Sequence, residues 1–229
     1  MPQELREHRE SWRRHHADWE MRLWTEKSLP GDLTRPEVYE RLRNPAERSD
    51  IIRLEVLFRF GGVYVDSDVE CLRPIDPLLQ EGTDLFAASG KRGHAHNAVI
   101  GAVAGHPALE HALRELRPVT EFGVDKNGTG PQFLDAILSQ YPEVTLYPRE
   151  VFFAATDAER EHAYSVHHST ASWKTPELWK QRVDRRQTKL VEARERIDEL
   201  ESLLGLRGAS AAIRGWRSRL RPRRAGDRR

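Results

Sequence analysis

Hydrophobic positions along the chain fall into two rhythms, and the order of those rhythms predicts an alternation of helices and strands. Leu5 and Trp12 share one side of the segment 4–17 while arginines and histidines fill the other, which predicts an amphipathic helix. Trp19 to Trp24 alternates apolar and polar residues and predicts a strand, closed by Pro30-Gly31. From Pro45 to Phe60, Ile51, Ile52, Leu54, Val56, Leu57, Phe58 and Phe60 make the pattern apolar on most sides, so this helix is expected to be buried. Gly61-Gly62 supplies its stop, because glycine takes the left-handed conformation cheaply. Val63-Tyr64-Val65 then predicts a short strand that runs out into Asp66-Ser67-Asp68. Further strands are expected at 84–88, 98–103, 144–147 and 151–153, and helices at 107–116 and 131–139, each with proline in its first turn. Strands interleaved with helices imply an α/β sheet. From Pro176 to Leu204 the pattern is helical and free of glycine. Val183, Leu190, Ile197 and Leu204 recur every seven residues, with Ala193, Leu200 and Arg186 on the intervening seam, a short heptad signal that fits either pairing with another chain or packing back on the body. The organisation expected is therefore a body over 1–175, a long helix over 176–205, and a tail over 206–229.

Composition narrows the classes. Hydrophobic residues make up 38% and charged residues 32% of 229, and no apolar run approaches the ~18 residues of a spanning helix. One cysteine, Cys71, leaves no disulfide framework or thiolate metal cluster and fits a reducing compartment. The opening MPQELREHRESWRR has no apolar core of a secretory signal, so a cytoplasmic location is expected. The net charge of +1 conceals an asymmetry. The tail has nine arginines against one acid, Asp227, a surplus of eight, so the rest of the chain is net −7. With Ile213, Trp216 and Leu220 among those arginines, the tail suits an anionic membrane surface on the inner face, or is a solvated, disordered appendage. Nucleic acid is not the expected partner, since the basic residues are not spread along the body between aromatics.

The chemistry concentrates where the short strand meets its two aspartates. Strand ends of open α/β sheets are where ligands bind, and paired carboxylates there suit a hard divalent cation that keeps positions open for phosphate oxygens. Alone, D-x-D also describes a helix cap or a solvated turn. The longer run SDIIRLEVLFRFGGVYVDSDVECLRPID resembles the DXD-motif sugar-binding region of glycosyltransferases, a family that includes yeast initiating mannosyltransferases, bacterial capsular and polysaccharide sugar transferases and, more distantly, the large clostridial glucosylating toxins. The likeness extends upstream through SWRRHHADWEMRLWTE and downstream through HNAVIGAVAGHPAL, NGTGPQFLDAIL and YSVHHSTASW, roughly Ser11 to Trp173. Family members usually open with a strand of the type I-P-K-x-I-H-Q-x-W, and the likeness here starts after that point.

The resemblance implies a GT-A-type mixed sheet flanked by helices, a Mn²⁺ or Mg²⁺ ion, a UDP- or GDP-hexose donor, a glycan or glycolipid acceptor, and retention at the anomeric carbon. It assigns Asp66 and Asp68 to the metal motif, the second as direct ligand and the first reaching the ribose or a metal-bound water. Asp50 and Arg53, one helical turn apart, would contact the donor sugar and diphosphate; read without the resemblance, they form an intrahelical ion pair. Tyr64 would line the nucleotide pocket or sit in the core. Asn97 would bond a sugar hydroxyl or cap a turn. Gly128, Gly130 and Pro131 form a loop entering a helix N-terminus, where the backbone can approach a sugar closely. His167, Ser172 and Trp173 match the closing H-x-x-x-x-S-W pattern. His167, preferred to His168 on spacing, would complete the metal shell, while Ser172 and the Trp173 indole would donate to phosphate and leaving-group oxygens. Two other readings compete. Haloacid-dehalogenase phosphatases also place D-x-D after an apolar strand, but their motif continues with Thr or Val where Glu70 stands here. A non-catalytic scaffold would use the 176–204 helix to oligomerise and the tail to sit on a membrane.

Overall fold

In a computed structural model of the chain, the described residues are 2–79, 82–90, 92–117, 128–169, 187–188 and 191–200. The chain divides into two compact units, Met1–Trp173 and Lys174–Arg229. In the second unit, residues 187–188 and 191–200 are helical, and Val191, Ile197 and Leu200 are exposed on them. Val183, Arg186, Leu190, Leu204 and the tail 206–229 lie outside the described residues. No described helix is long and apolar enough to cross a membrane.

The first unit opens with α1 (Gln3–His15), α2 (Pro36–Arg41) and α3 (Pro45–Phe60). Then come β1 (Gly62–Val65), β2 (Val69–Cys71), β3 (Leu85–Ser89) and β4 (Ala95–Ala102). The remainder is α4 (Pro107–Glu115), α5 (Pro131–Leu138), β5 (Thr145–Tyr147), α6 (Arg149–Phe152), α7 (Asp157–Arg160) and β6 (Ser165–His167). Four strands form one mixed sheet in the order β1-β4-β3-β5, antiparallel except for the parallel β3–β5 pair. β2 and β6 form a separate antiparallel pair.

Both faces of the sheet are covered, and β3 shows how the sequence specifies this. Its side chains alternate by the strand period of two: Leu85 and Ala87 enter the core shared with α2, α3, α4 and α5, while Phe86 and Ala88 enter a second core with Trp12 of α1, β2 and Phe152. Phe86 lies directly across from Gly101 of β4, and a Cβ added there would come within 2.0 Å of the Phe86 ring. The glycine is the socket for that ring. The α/β class with a mixed sheet flanked by helices, expected from the sequence, is what the chain adopts.

The buried helix and its stop fall where the sequence places them. Pro45 fills the first turn, the Asn44 side chain accepts from the Ala46 N–H, and Gly61 ends the helix at φ 65°. Any side chain at Gly61 would meet the backbone nitrogen of Ala104 at 2.8 Å, so the turn from α3 into β1 has room for glycine alone. Two expected strands are corrected. Trp19–Trp24 is irregular: its alternation is met by Trp19 and Met21 packing on the second core, with the Trp19 indole donating to Asp76 at 3.2 Å, rather than by a ladder. Residues 151–153 are not a strand but the end of α6 and the residue after it, because Pro148 presets the entry to a single helical turn.

Candidate active site

The site is built where α3, β1 and the start of β4 converge. A register shift in the β3–β4 ladder pairs Ala87 with Ile100 but Ala88 with His96, leaving 97–99 without a ladder partner on β3. The released backbone is put to use. The Ala98 carbonyl accepts from the Asp66 N–H at 2.8 Å, and the Asn97 carbonyl accepts from Arg53 Nη1. Continued past Val65–Val99, the β1–β4 register carries the chain after β1 alongside the first residues of β4.

Arg53 is the hub of the inner half. It is 3% exposed, and its guanidinium reaches Asp50 Oδ1 and Asp66 Oδ1, each at 3.1 Å. It also donates to the Ser49 carbonyl at 3.2 Å and the Ser49 hydroxyl at 3.1 Å, with its plane over the Tyr64 ring, 4.7 Å from the centroid. A buried cation of this kind is stable only with such a set of partners. Tyr64 donates its hydroxyl to Asp66 Oδ1 at 2.9 Å, and burial pushes that hydroxyl well above its usual range, so it stays a donor. Asp50 accepts from Asn97 Nδ2 at 2.7 Å and from the Thr129 hydroxyl at 3.2 Å. Burial pushes the Asp50 carboxyl up to about 7, against the pull of Arg53. Gly130, at the N-terminus of α5, lies against the same carboxylate, which a Cβ there would meet at 3.7 Å.

Arg53 therefore lies beneath the site and positions Asp50 and Asp66, and the ion-pair reading of Asp50–Arg53 is realised within that role. Asn97 holds Asp50 through its side chain.

The outer half stands on the small β2–β6 sheet. Asp68 Oδ1 lies 3.3 Å from His167 Nε2, and the two side chains are 16% and 15% exposed. Ligand atoms of Asp66, Asp68 and His167 all lie within 4.8 Å of one another. Because Asp66 Oδ1 already accepts from Tyr64 and Arg53, its second oxygen is the one left for a ligand. Two carboxylates and an imidazole suit Mn²⁺ or Mg²⁺ in kind, with side-chain movement of an ångström or so needed to close on an ion. His168 turns elsewhere, to Glu70 Oε2 at 3.0 Å, and His167 is the histidine that faces Asp68.

Two residues at the site escaped the sequence reading. Thr129 stands between the two glycines of the recognised loop. His96 faces the outer half, its ring 5.5 Å from that of His167 and its Nδ1 accepting from the Ala98 N–H at 3.2 Å. Burial, helped by His167, lowers His96 to about 4, so it is neutral near pH 7 with its proton on Nε2. The one signal for it was a polar His-Asn pair opening an otherwise apolar strand. Gly128 leads the same loop as Thr129 and Gly130. Ser172 and Trp173 lie outside the described residues. Cys71 is buried and pushed up to about 12 by that burial, so it supplies no thiolate.

With this geometry established, comparison with known proteins is informative. Residues 2–84, which carry α1 through β2 and the two aspartates, match the family described as "Glycosyltransferase sugar-binding region containing DXD motif". The resemblance drawn from the D-x-D run therefore holds over this segment. The chain is 31% identical over 152 residues to a mannosyl phosphorylinositol ceramide synthase of Saccharomyces cerevisiae, covering 62% of this chain and 39% of that protein. It is 34% identical over 140 residues to an inositol phosphoceramide mannosyltransferase of Schizosaccharomyces pombe, covering 55% and 38%. A human alpha-1,4-N-acetylglucosaminyltransferase matches at 29% over 84 residues, 34% of this chain and 23% of that one. A solved toxin glycosyltransferase, PaToxG, aligns over 51% of this chain and 42% of its own, at 22% identity and a TM-score of 0.39. The chain thus spans less than half the length of these relatives.

Proposed function

We propose that the chain is a metal-dependent glycosyltransferase of GT-A type that moves a hexosyl unit from a nucleotide-sugar to a glycan or glycolipid acceptor. The observation that carries this reading is the convergence of Asp66, Asp68 and His167 above a buried, fully partnered Arg53, within a segment of the DXD type. Mannosyl is the first choice of sugar and a glycolipid the first choice of acceptor, because the names of the fungal relatives carry both.

Asp66, Asp68 and His167 would hold Mn²⁺ or Mg²⁺, which supplies positive charge to the diphosphate leaving group. The chain's own residues do the positioning. Arg53 and Tyr64 fix one oxygen of Asp66, and Asn97 and Thr129 orient Asp50 at the lip formed by Gly130, where a sugar hydroxyl can approach without meeting a side chain. Asp50 then serves as an acceptor for sugar hydroxyls. The neutral His96 offers its Nε2–H as a donor on the outer side. Ser172 and Trp173 keep the role the resemblance gives them, donors to phosphate and leaving-group oxygens, and retention at the anomeric carbon belongs to the same reading. Attachment of the Arg-rich 206–229 segment to an anionic membrane surface, self-association through the 176–204 helix and a cytoplasmic setting complete it.

The test is a thermal-shift panel of UDP- and GDP-sugars with and without Mn²⁺, since a ligand that binds only the folded state raises Tm. A Mn²⁺-dependent rise for one nucleotide is expected, followed by metal-dependent hydrolysis or transfer of its sugar. No rise with any nucleotide-sugar would overturn the proposal.

A further inference from the structure

A second cluster of metal-ligating side chains stands apart from the aspartate site. Glu4 and His8 lie one turn apart on α1, Glu4 exposed and His8 on the buried stripe with Trp12, whose indole donates to the Val69 carbonyl of β2 at 2.9 Å. His168 follows directly after β6, and its ring stacks on that of His8 at 4.4 Å between centroids. Ligand atoms of Glu4, His8 and His168 all fall within 4.8 Å of one another.

Two features set this cluster apart from an accidental gathering of polar groups. His8 is only 7% exposed, yet its Nε2 has no hydrogen-bond partner, the nearest carboxylate oxygen being Glu4 Oε1 at 3.9 Å. A buried imidazole nitrogen left in that state calls for an occupant. The second feature is a support for the other ring. His168 Nε2 bonds Glu70 Oε2 at 3.0 Å, and Arg160 holds the same Glu70 oxygen at 3.3 Å. A carboxylate that takes the Nε2 proton leaves Nδ1 with its lone pair outward, which is how ligating histidines are commonly held.

The geometry points to a transition-metal site, of the Zn²⁺ class, formed by His8, His168 and Glu4. Two imidazoles and one carboxylate match the borderline-soft preference of Zn²⁺, whereas the two aspartates and one histidine next door favour a harder ion. Ligands around one tetrahedral ion at ~2.1 Å stand about 3.4 Å apart, so the cluster has to contract by about an ångström. Glu4, 61% exposed at its side chain, is one arm that moves, and because the His8 and His168 rings are stacked only 10° from parallel, one imidazole also has to turn to bring its in-plane lone pair onto the ion. An ion here ties α1 to the β2–β6 pair and fixes His168 beside His167. It is a structural clamp on the segment that carries the outer half of the active site.

The experiment uses the full chain carrying Asp68→Asn, which weakens the neighbouring cluster, stripped with a chelator and titrated with Zn²⁺ by calorimetry and thermal melting. One saturable equivalent is expected, with a Tm rise of roughly 5–10 °C at about a hundredfold excess over Kd. Adding Glu4→Gln should weaken that equivalent by roughly tenfold or more, and His8→Gln should abolish it. Co²⁺ in place of Zn²⁺ should give the visible absorption of a four-coordinate site, lost in the same variants. Absence of saturable Zn²⁺ binding would overturn the site and leave only water beside His8. Binding unchanged by Glu4→Gln would also overturn it, and that variant, exposed and outside the core, decides the matter even if His8→Gln does not fold.

Discussion

Asp66 and Asp68 are two residues apart, yet they belong to differently built halves of one site. Asp66 is locked: its backbone is bonded to Ala98, and one side-chain oxygen takes both the Tyr64 hydroxyl and Arg53. Asp68 leans on a strand pair of three residues each and faces an imidazole at 3.3 Å. The inner half is cross-linked through a four-stranded sheet and a helix apolar on most sides, so it is tied into the fold's stability. The outer half is set on a smaller platform and can adjust to a ligand. A preformed half beside an adjustable one is the arrangement that the proposed metal-dependent donor binding would need.

The sharpest way to break this contrast is to remove the inner hub. Arg53→Met should destabilise the fold by about 3–5 kcal/mol, because Asp50 and Asp66 are then left buried without their cation. Urea denaturation measures this directly; a loss under about 1 kcal/mol would mean that the inner network carries no structural weight. Asp68→Asn should do the reverse. The amide keeps the shape and a hydrogen bond to His167 but loses the charge, so Mn²⁺-dependent binding of the nucleotide-sugar should fall by about 100-fold, some 2.7 kcal/mol, while Tm in the absence of metal changes little. Retained Mn²⁺ dependence in that variant would remove Asp68 from the metal site.

The inner half was far more legible in the sequence than the outer. A helix apolar nearly all round, a glycine stop and a short strand are local patterns, and α3, Gly61 and β1 appear where those patterns put them. The Asp50–Arg53 pair followed from helical spacing alone. The β2–β6 pair joins Val69 to His167, almost a hundred residues away, with three residues per strand, and periodicity has nothing to say about such a pairing. Trp19–Trp24 shows the same weakness from the other side, since an alternating pattern reports two environments and not the presence of a partner strand. Thr129 and His96 depend on a loop reaching α3 and on a register shift between β3 and β4, and both are tertiary facts. The expectation that His167 joins the two aspartates came through family resemblance, where composition and spacing were silent.

Proton linkage offers the finest test of whether the halves are balanced. Burial raises Asp50 from 3.8 to about 7, so between those values the folded chain holds a proton that the unfolded chain has released. That contribution to stability is largest at low pH and declines as pH rises, by about 1.4 kcal/mol per unit across the window. His96 is lowered from 6.5 to about 4, so between these values the unfolded chain binds a proton that the folded chain refuses. Its contribution has the opposite sign, present above pH 6.5 and lost at the same slope as pH falls toward 4. Over pH 4.5–6.5 the two slopes cancel in the wild type. Relative to it, Asp50→Asn should make stability climb with pH by about 1.4 kcal/mol per unit, and His96→Gln should make it fall by the same amount. Urea midpoints at four pH values in this range, converted with a common m-value, read both slopes. If either variant ran parallel to the wild type, the group it removes would titrate alike in the folded and unfolded chain, and the balance between the buried carboxyl of the inner half and the buried imidazole of the outer half would not exist.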